Sequence, residues 1–219
     1  MNIFNETIYK IIRFCVKSYL DVFMEFKVWG RENLNFEGPK IYCSNHFSST
    51  DPFFVITIME EPVHMIIGPG FSVPVFKTIL KWGEQINALS FHRKTVVEKA
   101  INYLKKGESV YIFPEGDLND QSSLMKFYTG VAKIYLGYNC PIIPIGLAAP
   151  KRDVKEKATS LKVEGREYKT RLVLSGKYFA NIGKPLHFSP EEKEEEITEK
   201  IKREIENLIV DLKHNKFWE

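Results

Sequence analysis

The N-terminal segment, from Ile3 to about Phe26, alternates apolar and charged positions with the period of an α-helix. Its charged residues fall on one narrow stripe, namely Glu6, Lys10, Arg13, Lys17 and Asp21. The other faces are apolar, and their larger side chains include Phe4, Ile8, Ile11, Ile12 and Tyr19. A wide apolar surface beside a basic-leaning stripe is typical of a helix that lies in a membrane interface. A helix packed on its own domain fits the pattern equally well, so both interpretations stay open.

Farther along the chain, short apolar runs alternate with helical patterns. Strands are predicted where apolar runs are bounded by turn residues, at 26–30, 40–44, 63–67, 109–113 and 141–147. Asp51 and Pro52 have the form of an N-cap and first helical residue, and they predict a helix that starts there. Further helices are predicted over 75–82, 95–106 and 129–136. This alternation predicts an α/β fold in which helices flank a mixed β-sheet.

The C-terminal part is less regular. Residues 150–170 are polar and charged and predict an excursion or a hairpin, while two late strands are expected at 171–174 and 178–182. The run Ser189-Pro190-Glu191-Glu192 resembles a capping box and predicts the start of a last helix that continues through Leu212. We therefore interpret the chain as an amphipathic membrane-interface helix at 1–25, followed by a single domain at 26–219.

The composition argues against several classes of protein. With 44% hydrophobic and 27% charged residues among 219, the chain can form a full core without disulfides. Its three scattered cysteines argue against a disulfide framework and a thiolate metal site. A net charge of +3 is too small to indicate nucleic-acid binding. No apolar run is long enough for a transmembrane helix, and early charges such as Lys10 and Arg13 interrupt any signal-peptide core.

Four short motifs lie at or just after predicted strands, where α/β folds usually carry their functional side chains. They are Asn45-His46-Phe47-Ser48-Ser49-Thr50-Asp51, Phe91-His92-Arg93-Lys94, Phe113-Pro114-Glu115-Gly116 and Pro141-Ile142-Ile143-Pro144-Ile145-Gly146. His46 can take up a proton near neutral pH, and a carboxylate five positions later can hold its other ring nitrogen. Taken singly, each motif also has a plain structural explanation, such as a helix cap at Asp51 or a turn at Glu115.

In this order, the four motifs resemble those of the glycerophospholipid acyltransferase family, which has N-H-x4-D, a glycine-to-arginine block, F-P-E-G and a proline-rich apolar block. The matching residues are 45–51, 83–93, 113–116 and 141–146, and the likeness covers roughly residues 27–150. The resemblance implies the glycerol-phosphate acyltransferase type of α/β fold. It also implies transfer of a fatty acyl chain from a thioester to the hydroxyl of a lysophospholipid such as 1-acyl-glycerol-3-phosphate.

The same resemblance implies roles for single residues. His46 would be the general base that deprotonates the acceptor hydroxyl, and Asp51 would orient it. Substrate-binding roles are implied for Arg93, Glu115, Gly116 and Lys126. The donor would be acyl-CoA or acyl carrier protein acting as a co-substrate, with no other cofactor and no metal. Such an enzyme would act on a lyso-lipid as a peripheral protein at the cytoplasmic side of the cell membrane.

The chain departs from the family pattern after its third motif. F-P-E-G is usually followed by Thr-Arg-Ser, whereas Asp117, Leu118 and Asn119 follow it here. The arginine that helps to hold an acceptor phosphate is therefore absent, and Asp117 adds a charge that would repel one. A lysine of the family pattern is also replaced near Gly68-Pro69. A second lysine of the pattern is missing from its usual place, but Lys126 can substitute for it.

These departures leave the acceptor open. Another lyso-lipid, an amino-acid lipid or a glycolipid fits the same chemistry, and water as acceptor would make the protein a hydrolase. A non-catalytic lipid-binding relative fits the fold, but the intact His46, Asp51 and Glu115 argue against it.

Overall fold

The computed structural model describes residues 3–59, 61–215 and 218. The described helices are α1 (Ile3–Phe23), α2 (Asp51–Val55), α3 (Pro74–Trp82), α4 (Val96–Lys105), α5 (Gly130–Gly137) and α6 (Glu194–Lys213). The described strands are β1 (Met24–Trp29), β2 (Ile41–Ser44), β3 (Val63–Ile67), β4 (Ile86–Asn87), β5 (Ser109–Ile112), β6 (Ile142–Ala148), β7 (Val154–Val163) and β8 (Arg166–Ile182). Strands and helices alternate from β2 to β6, as the sequence predicts.

One mixed sheet organises the molecule, in the order β1-β8-β6-β2-β5-β3-β4, with β7 paired to β8. The pairs β6–β2, β2–β5, β5–β3 and β3–β4 are parallel, whereas β8 is antiparallel to β6 and parallel to β1. The predicted mixed sheet with flanking helices is therefore confirmed. The carboxyl ends of β6, β2, β5, β3 and β4 lie along one side of the sheet, which we call the carboxyl edge; α/β folds usually build their sites on such an edge.

Helices cover both faces of the sheet. On one face, Tyr42 and Tyr111 of β2 and β5 belong to an apolar cluster with residues of α1 and α2. On the other face, Cys43 and Ile112 of the same strands pack with α4, α5 and α6. Because neighbouring residues of a strand point to opposite faces, both sets of side chains are buried. This double burial explains why these strands appear in the sequence as continuous apolar runs.

Helix α1 packs on the domain with one face only. Tyr9 and Leu20 are buried, and Ile12 and Tyr19 pack against the same cluster, while Ile8 is half-buried. Of the five residues predicted to meet a membrane, only Phe4 and Ile11 are exposed. They share the outer face with two further exposed apolar residues, Phe14 and Val22. The packed-helix interpretation therefore holds for the inner face of α1, and contact of its outer face with a membrane stays a prediction.

The end of α1 differs slightly from the prediction. The helix stops at Phe23, and β1 begins at Met24, so the expected boundary between residues 25 and 26 falls inside a strand. Met24 is buried and pairs with Gly176 of β8. The apolar residues at the junction satisfy both periodicities, which is why the pattern alone extended the helix.

Strands β7 and β8 form a long hairpin. Only the base of this hairpin pairs with other strands of the sheet. The hairpin closes through Glu164 and Gly165, whose φ values of 50° and 79° are those of a two-residue hairpin turn. The two late strands expected at 171–174 and 178–182 are one strand of 17 residues. Most of β7 is exposed, so no alternation of apolar residues marks it in the sequence.

Helix α6 starts later than predicted. The expected capping box at Ser189 instead closes a turn, in which the Ser189 N–H donates to Oε1 of Glu192 at 3.0 Å. The helix begins at Glu194, with Lys193 as its N-cap. Thr198, Ile201 and Ile205 then face the sheet and are buried.

Candidate active site

The loop after β2 carries the predicted catalytic histidine at the carboxyl edge. Asn45, at the end of the strand, is buried, and its side chain clamps β6: its amide N–H donates to the Leu147 carbonyl at 2.8 Å, and its Oδ1 accepts from the Leu147 N–H at 2.7 Å. Because both polar groups of the amide are satisfied by one residue, the start of the loop has a fixed position. His46 follows directly.

His46 and Asp51 are in contact, as predicted. Nδ1 of His46 lies 2.9 Å from Oδ2 of Asp51, whose side chain is fully buried. The same oxygen accepts hydrogen bonds from the N–H groups of Phe47 and Ser48, each at 2.9 Å. Oδ1 accepts from the Tyr178 hydroxyl at 2.8 Å. Four donors therefore balance the cost of burying this carboxylate.

The expected N-cap at Asp51 is wrong. Thr50 is the N-cap of α2, and Asp51 is the first residue of the helix. Its carboxylate points back into the preceding loop, where His46, Phe47 and Ser48 supply donors that outnumber those of the helix end.

The contact with Asp51 determines which nitrogen of His46 can act as a base. Since a carboxylate only accepts, Nδ1 must carry the hydrogen, and Nε2 keeps its lone pair. Among the described residues, no hydrogen-bond partner occupies Nε2. The ring stacks on Phe113 with 4.2 Å between centroids, and 17% of the side chain is exposed. The histidine is thus held in place, and its use as a general base stays a prediction.

Glu115 supports the same loop from β5. It is buried, and its Oε1 accepts from the His46 N–H at 2.7 Å, while Oε2 accepts from the Met125 N–H at 2.8 Å. The Asn119 amide donates to both oxygens, at 2.7 Å and 3.0 Å. Burial raises the pKa of the Glu115 carboxyl, against the opposing effect of its N–H donors. The carboxylate positions His46; its contact with a substrate stays a prediction.

The other predicted binding residues lie near this support or beyond it. Gly116 has a φ of 67°, and a Cβ there would come within 3.1 Å of the Tyr128 ring. Lys126 is exposed and follows Met125, whose N–H binds Glu115. Arg93 lies in the short helical turn Ser90–Thr95 after β4, but its side chain is outside the described part of the structure. The substrate contacts of all three stay predictions.

The β7–β8 hairpin holds the loop that contains His46 and Asp51 from the far side. The Ser49 N–H donates to the Arg171 carbonyl at 2.7 Å, and the Ser48 hydroxyl donates to the same carbonyl at 3.0 Å. The Thr50 hydroxyl donates to the Val173 carbonyl at 3.2 Å. The loop that contains the histidine is therefore fixed by β8 as well as by β5 and β6.

The distal half of the hairpin continues along the carboxyl edge. Its Arg166 forms an ion pair of 3.1 Å with Asp117, which follows β5. At its tip, the Glu164 carboxylate accepts a hydrogen bond of 3.3 Å from the Ser90 N–H, just after β4. The hairpin thus crosses the carboxyl edge from the end of β2 to the end of β4.

Three features of the site escaped prediction from sequence. Tyr178 is far along the chain, and nothing nearby marks it as a partner of Asp51. Asn119 looked like a departure from the family pattern, yet its amide satisfies Glu115. The hairpin carbonyls of Arg171 and Val173 are backbone groups, which leave no signature in a sequence.

The described ranges contain neither a metal-binding cluster nor a membrane-spanning helix. No group of three or more His, Cys, Asp or Glu side chains within 3–59, 61–215 and 218 is arranged to hold a metal ion. Over the same part of the chain, no helix has the length and apolar character needed to span a membrane.

Comparison with known proteins fits this geometry. The sequence model of the Acyltransferase family matches residues 25–148, which include β1 to β6 and the loops that carry His46, Asp51 and Glu115. The chain belongs to the Acyltransferase family. The resemblance inferred from the four motifs is thereby confirmed.

Individual acyltransferases resemble the chain more distantly. The protein is 26% identical over 129 residues to the chloroplastic 1-acyl-sn-glycerol-3-phosphate acyltransferase BAT2 of Brassica napus. That match covers 57% of this chain but only 38% of the relative. The crystal structure of PlsC, the 1-acyl-sn-glycerophosphate acyltransferase of Thermotoga maritima, superposes with a TM-score of 0.70 at 19% identity, over 96% of this chain and 80% of that one. This second likeness confirms the predicted fold.

Proposed function

We propose that this acyltransferase moves a fatty acyl chain from an acyl-CoA or acyl carrier protein thioester to the hydroxyl of a lysophospholipid such as 1-acyl-glycerol-3-phosphate. The observation that carries the proposal is the 2.9 Å contact of His46 Nδ1 with Asp51, which leaves Nε2 as a base. Membership of the family supports acyl transfer, and the name of the Brassica relative supports this class of acceptor.

In the proposed reaction, Nε2 of His46 takes the proton of the acceptor hydroxyl as its oxygen attacks the thioester carbonyl. Asp51 stabilises the resulting imidazolium, and collapse of the tetrahedral intermediate expels the thiolate, which recovers the proton from Nε2. No acyl-enzyme is needed. Cys43 is fully buried, and burial raises the pKa of its thiol, so it is unsuited to act as a nucleophile.

Positive charge for an acceptor headgroup comes from residues outside the usual third motif. Leu118 stands where the family pattern has an arginine, but Arg166 of the hairpin reaches the neighbouring Asp117. Arg166 neutralises the carboxylate that would repel a phosphate, and Lys126 adds an exposed cation after the same loop. A lyso-lipid with a different headgroup remains the second candidate, because the ion pair occupies part of the guanidinium.

We further propose that the protein binds the cytoplasmic side of the cell membrane through α1 and α3. Phe4 of α1 contacts Trp82 of α3 edge to face, with 6.2 Å between ring centroids. Exposed Ile11 and Phe14 on α1 and Val75 on α3 enlarge this apolar surface. The exposed lysines Lys10 and Lys17 flank it on α1, as expected of a helix at an anionic membrane surface.

A thiol-release assay tests the proposed reaction. Purified protein is given acyl-CoA or acyl carrier protein thioester with a panel of lyso-lipids, and both thiol and acylated product are measured. We expect transfer to 1-acyl-glycerol-3-phosphate, and a fall of roughly a thousandfold in kcat for His46→Ala in a variant that still folds, as circular dichroism will check. His187→Ala, at an exposed histidine, is the matched control. Normal turnover by His46→Ala rejects the mechanism, and thiol release without acylated lipid makes the protein a hydrolase.

A further inference from the structure

A concave site lies at the β4 end of the sheet, away from His46. It is a cavity of about 750 Å³, within the range of small-molecule sites. Its floor includes the buried side chains of Phe71 and Ile86, and its wall includes the half-buried ring of Tyr103. The cavity therefore offers an apolar and aromatic surface to a ligand.

The position of this cavity follows from the sheet order. Strand β4 is the last in the order and contributes Ile86 and Asn87 to the lining. Helix α3 lies on the face of the sheet that carries α1 and α2, because the ring of its Phe76 contacts the ring of Phe53 in α2. Helix α4 packs with α5 and α6 on the other face. The cavity thus wraps the open edge of β4, between helices on opposite faces.

The rim of the cavity is strongly basic. Lys77 and Lys81 come from α3, Lys99 comes from α4, and Lys106 is the C-cap of α4. Within the described part of the chain, none of the four forms an ion pair, and Nζ of Lys106 lies 5.5 Å from the centroid of the Tyr103 ring. Glu164, at the hairpin tip, is the single carboxylate among the described lining residues. Four lysines against one carboxylate leave the described lining with an excess of positive charge, which favours a ligand with several negative charges.

The distance to the catalytic base is also informative. The sheet order places β5 and β3 between β2 and β4, so the two strand ends are three strand spacings apart, roughly 14 Å. A pantetheine arm has the backbone length of about four extended residues, roughly 14 Å. The hairpin crosses the carboxyl edge along this path, from Ser49 to Ser90. A thioester carried on such an arm can therefore reach His46 from the cavity.

We propose that this cavity binds the 3′-phosphoadenosine diphosphate end of coenzyme A, so that acyl-CoA is the donor. The nucleotide carries about four negative charges, which the four rim lysines match, and a base that can contact the apolar lining of Phe71 and Ile86. The cavity recedes between α3 and α4 to the buried Phe71 and Ile86, and this depth favours a small nucleotide over the convex surface of a carrier protein. The inference rests on the proposed function for its chemistry, but its binding site can be tested separately.

Calorimetric titration with adenosine 3′,5′-bisphosphate tests the site without any turnover. We expect saturable binding to the whole protein, and a Kd at least about tenfold higher for the double variant Lys99→Ala/Lys106→Ala. These lysines are chosen because they lie on α4 and at its C-cap, away from the apolar surface of α1 and α3. Lys105→Ala is the matched control, since Lys105 is exposed on the same helix but does not line the cavity. Absence of binding, or an equal Kd for the double variant, overturns the proposal.

Kinetics with a truncated donor completes the test. The double variant should raise the KM for acyl-CoA about tenfold while leaving kcat/KM for the matching acyl-pantetheine unchanged. Equal losses with both donors would overturn the proposal, because acyl-pantetheine lacks the nucleotide. So would a loss confined to acyl carrier protein, which would assign the lysines to an acidic protein partner. If no thioester supports acyl transfer, the proposed function fails, whereas the calorimetric result still decides whether the cavity binds the nucleotide.

Discussion

The hydroxyl of Tyr178 donates a hydrogen bond of 2.8 Å to Oδ1 of Asp51, although the two residues are 127 positions apart. Burial, reinforced by the charge of Asp51, raises the pKa of this phenol well above its ordinary value, so it stays a donor. The phenol donates to the one oxygen of Asp51 that accepts no hydrogen bond from the loop containing His46. Strand β8 therefore takes part in orienting His46, acting through Asp51.

Removal of this phenol tests its role as a positioning residue. We expect Tyr178→Phe to lower kcat about tenfold, because a buried oxygen of Asp51 loses its donor while the aromatic packing is kept. KM should change little. The control is Tyr42→Phe, which removes another buried hydroxyl whose partner is Glu61. Equal kcat values for the two variants would show that the Tyr178 hydroxyl contributes only to stability.

Asn119 offers a test of the support behind the catalytic loop. We expect Asn119→Ala to reduce kcat and to lower the free energy of unfolding by about 1–3 kcal/mol, since Glu115 loses a donor in a buried place. Asp120→Ala is the neighbouring control, because that exposed side chain bonds only within its own turn, to Ser122. Activity assays and urea titrations measure both effects. A variant as active and stable as the control would contradict the assigned support.

The raised pKa of Glu115 predicts a pH dependence of stability. Above pH 4.5, its ordinary pKa, the unfolded chain releases this proton while the folded chain still holds it. The contribution of Glu115 to the free energy of unfolding therefore falls as pH rises from 4.5 through the raised pKa of the folded state. His46, whose N–H binds this carboxylate, is the neighbouring titratable group.

Glu115→Gln is the variant that measures this dependence, because glutamine does not titrate. Urea titrations of both proteins at several pH values give the difference in free energy of unfolding, in which the other groups largely cancel. We expect the difference to change across the interval above pH 4.5, in favour of the variant at higher pH. A difference that is constant with pH would mean that the pKa of Glu115 is the same in the folded and unfolded chains.

Membrane binding is best tested by substitution on the outer face of α1. Deleting residues 1–24 would also remove the buried side chains of Tyr9 and Leu20 and so disturb the core. We expect Phe14→Asp, at a residue 71% exposed, to weaken binding to anionic liposomes at least about tenfold without changing the unfolding midpoint. Val210→Asp on α6, 48% exposed, is the control. Equal binding by both variants in a sedimentation assay would argue against this surface.

The sequence predicted those elements whose burial produces a regular pattern. The runs at 63–67 and 109–113 became β3 and β5, and the helix expected over 95–106 became α4, because each is covered on defined faces. The length of the hairpin was not predictable, because its exposed residues show no periodic pattern of apolar positions. Strand β4 was missed because two residues, Ile86 and Asn87, are too few to show alternation.

The same limit applies to the site. The contact of His46 with Asp51 was predictable because both lie in one short loop, where a fixed spacing has meaning. Tyr178 was not, because its position depends on how β8 pairs with β1 and β6. Asp51 was expected to cap a helix on a local rule, and the donors of the folded loop overrode that rule.

The hairpin also affects how the protein loses activity when denaturant is added. Its distal half is joined to the rest of the molecule by exposed ion pairs and single hydrogen bonds, such as those of Arg166 and Glu164, and such segments open at a low free-energy cost. Opening that extends to Arg171 releases Ser48 and Ser49 while the central strands remain paired. Catalysis should therefore cease at denaturant concentrations too low to melt the sheet, which makes residual activity a more sensitive gauge of damage than circular dichroism.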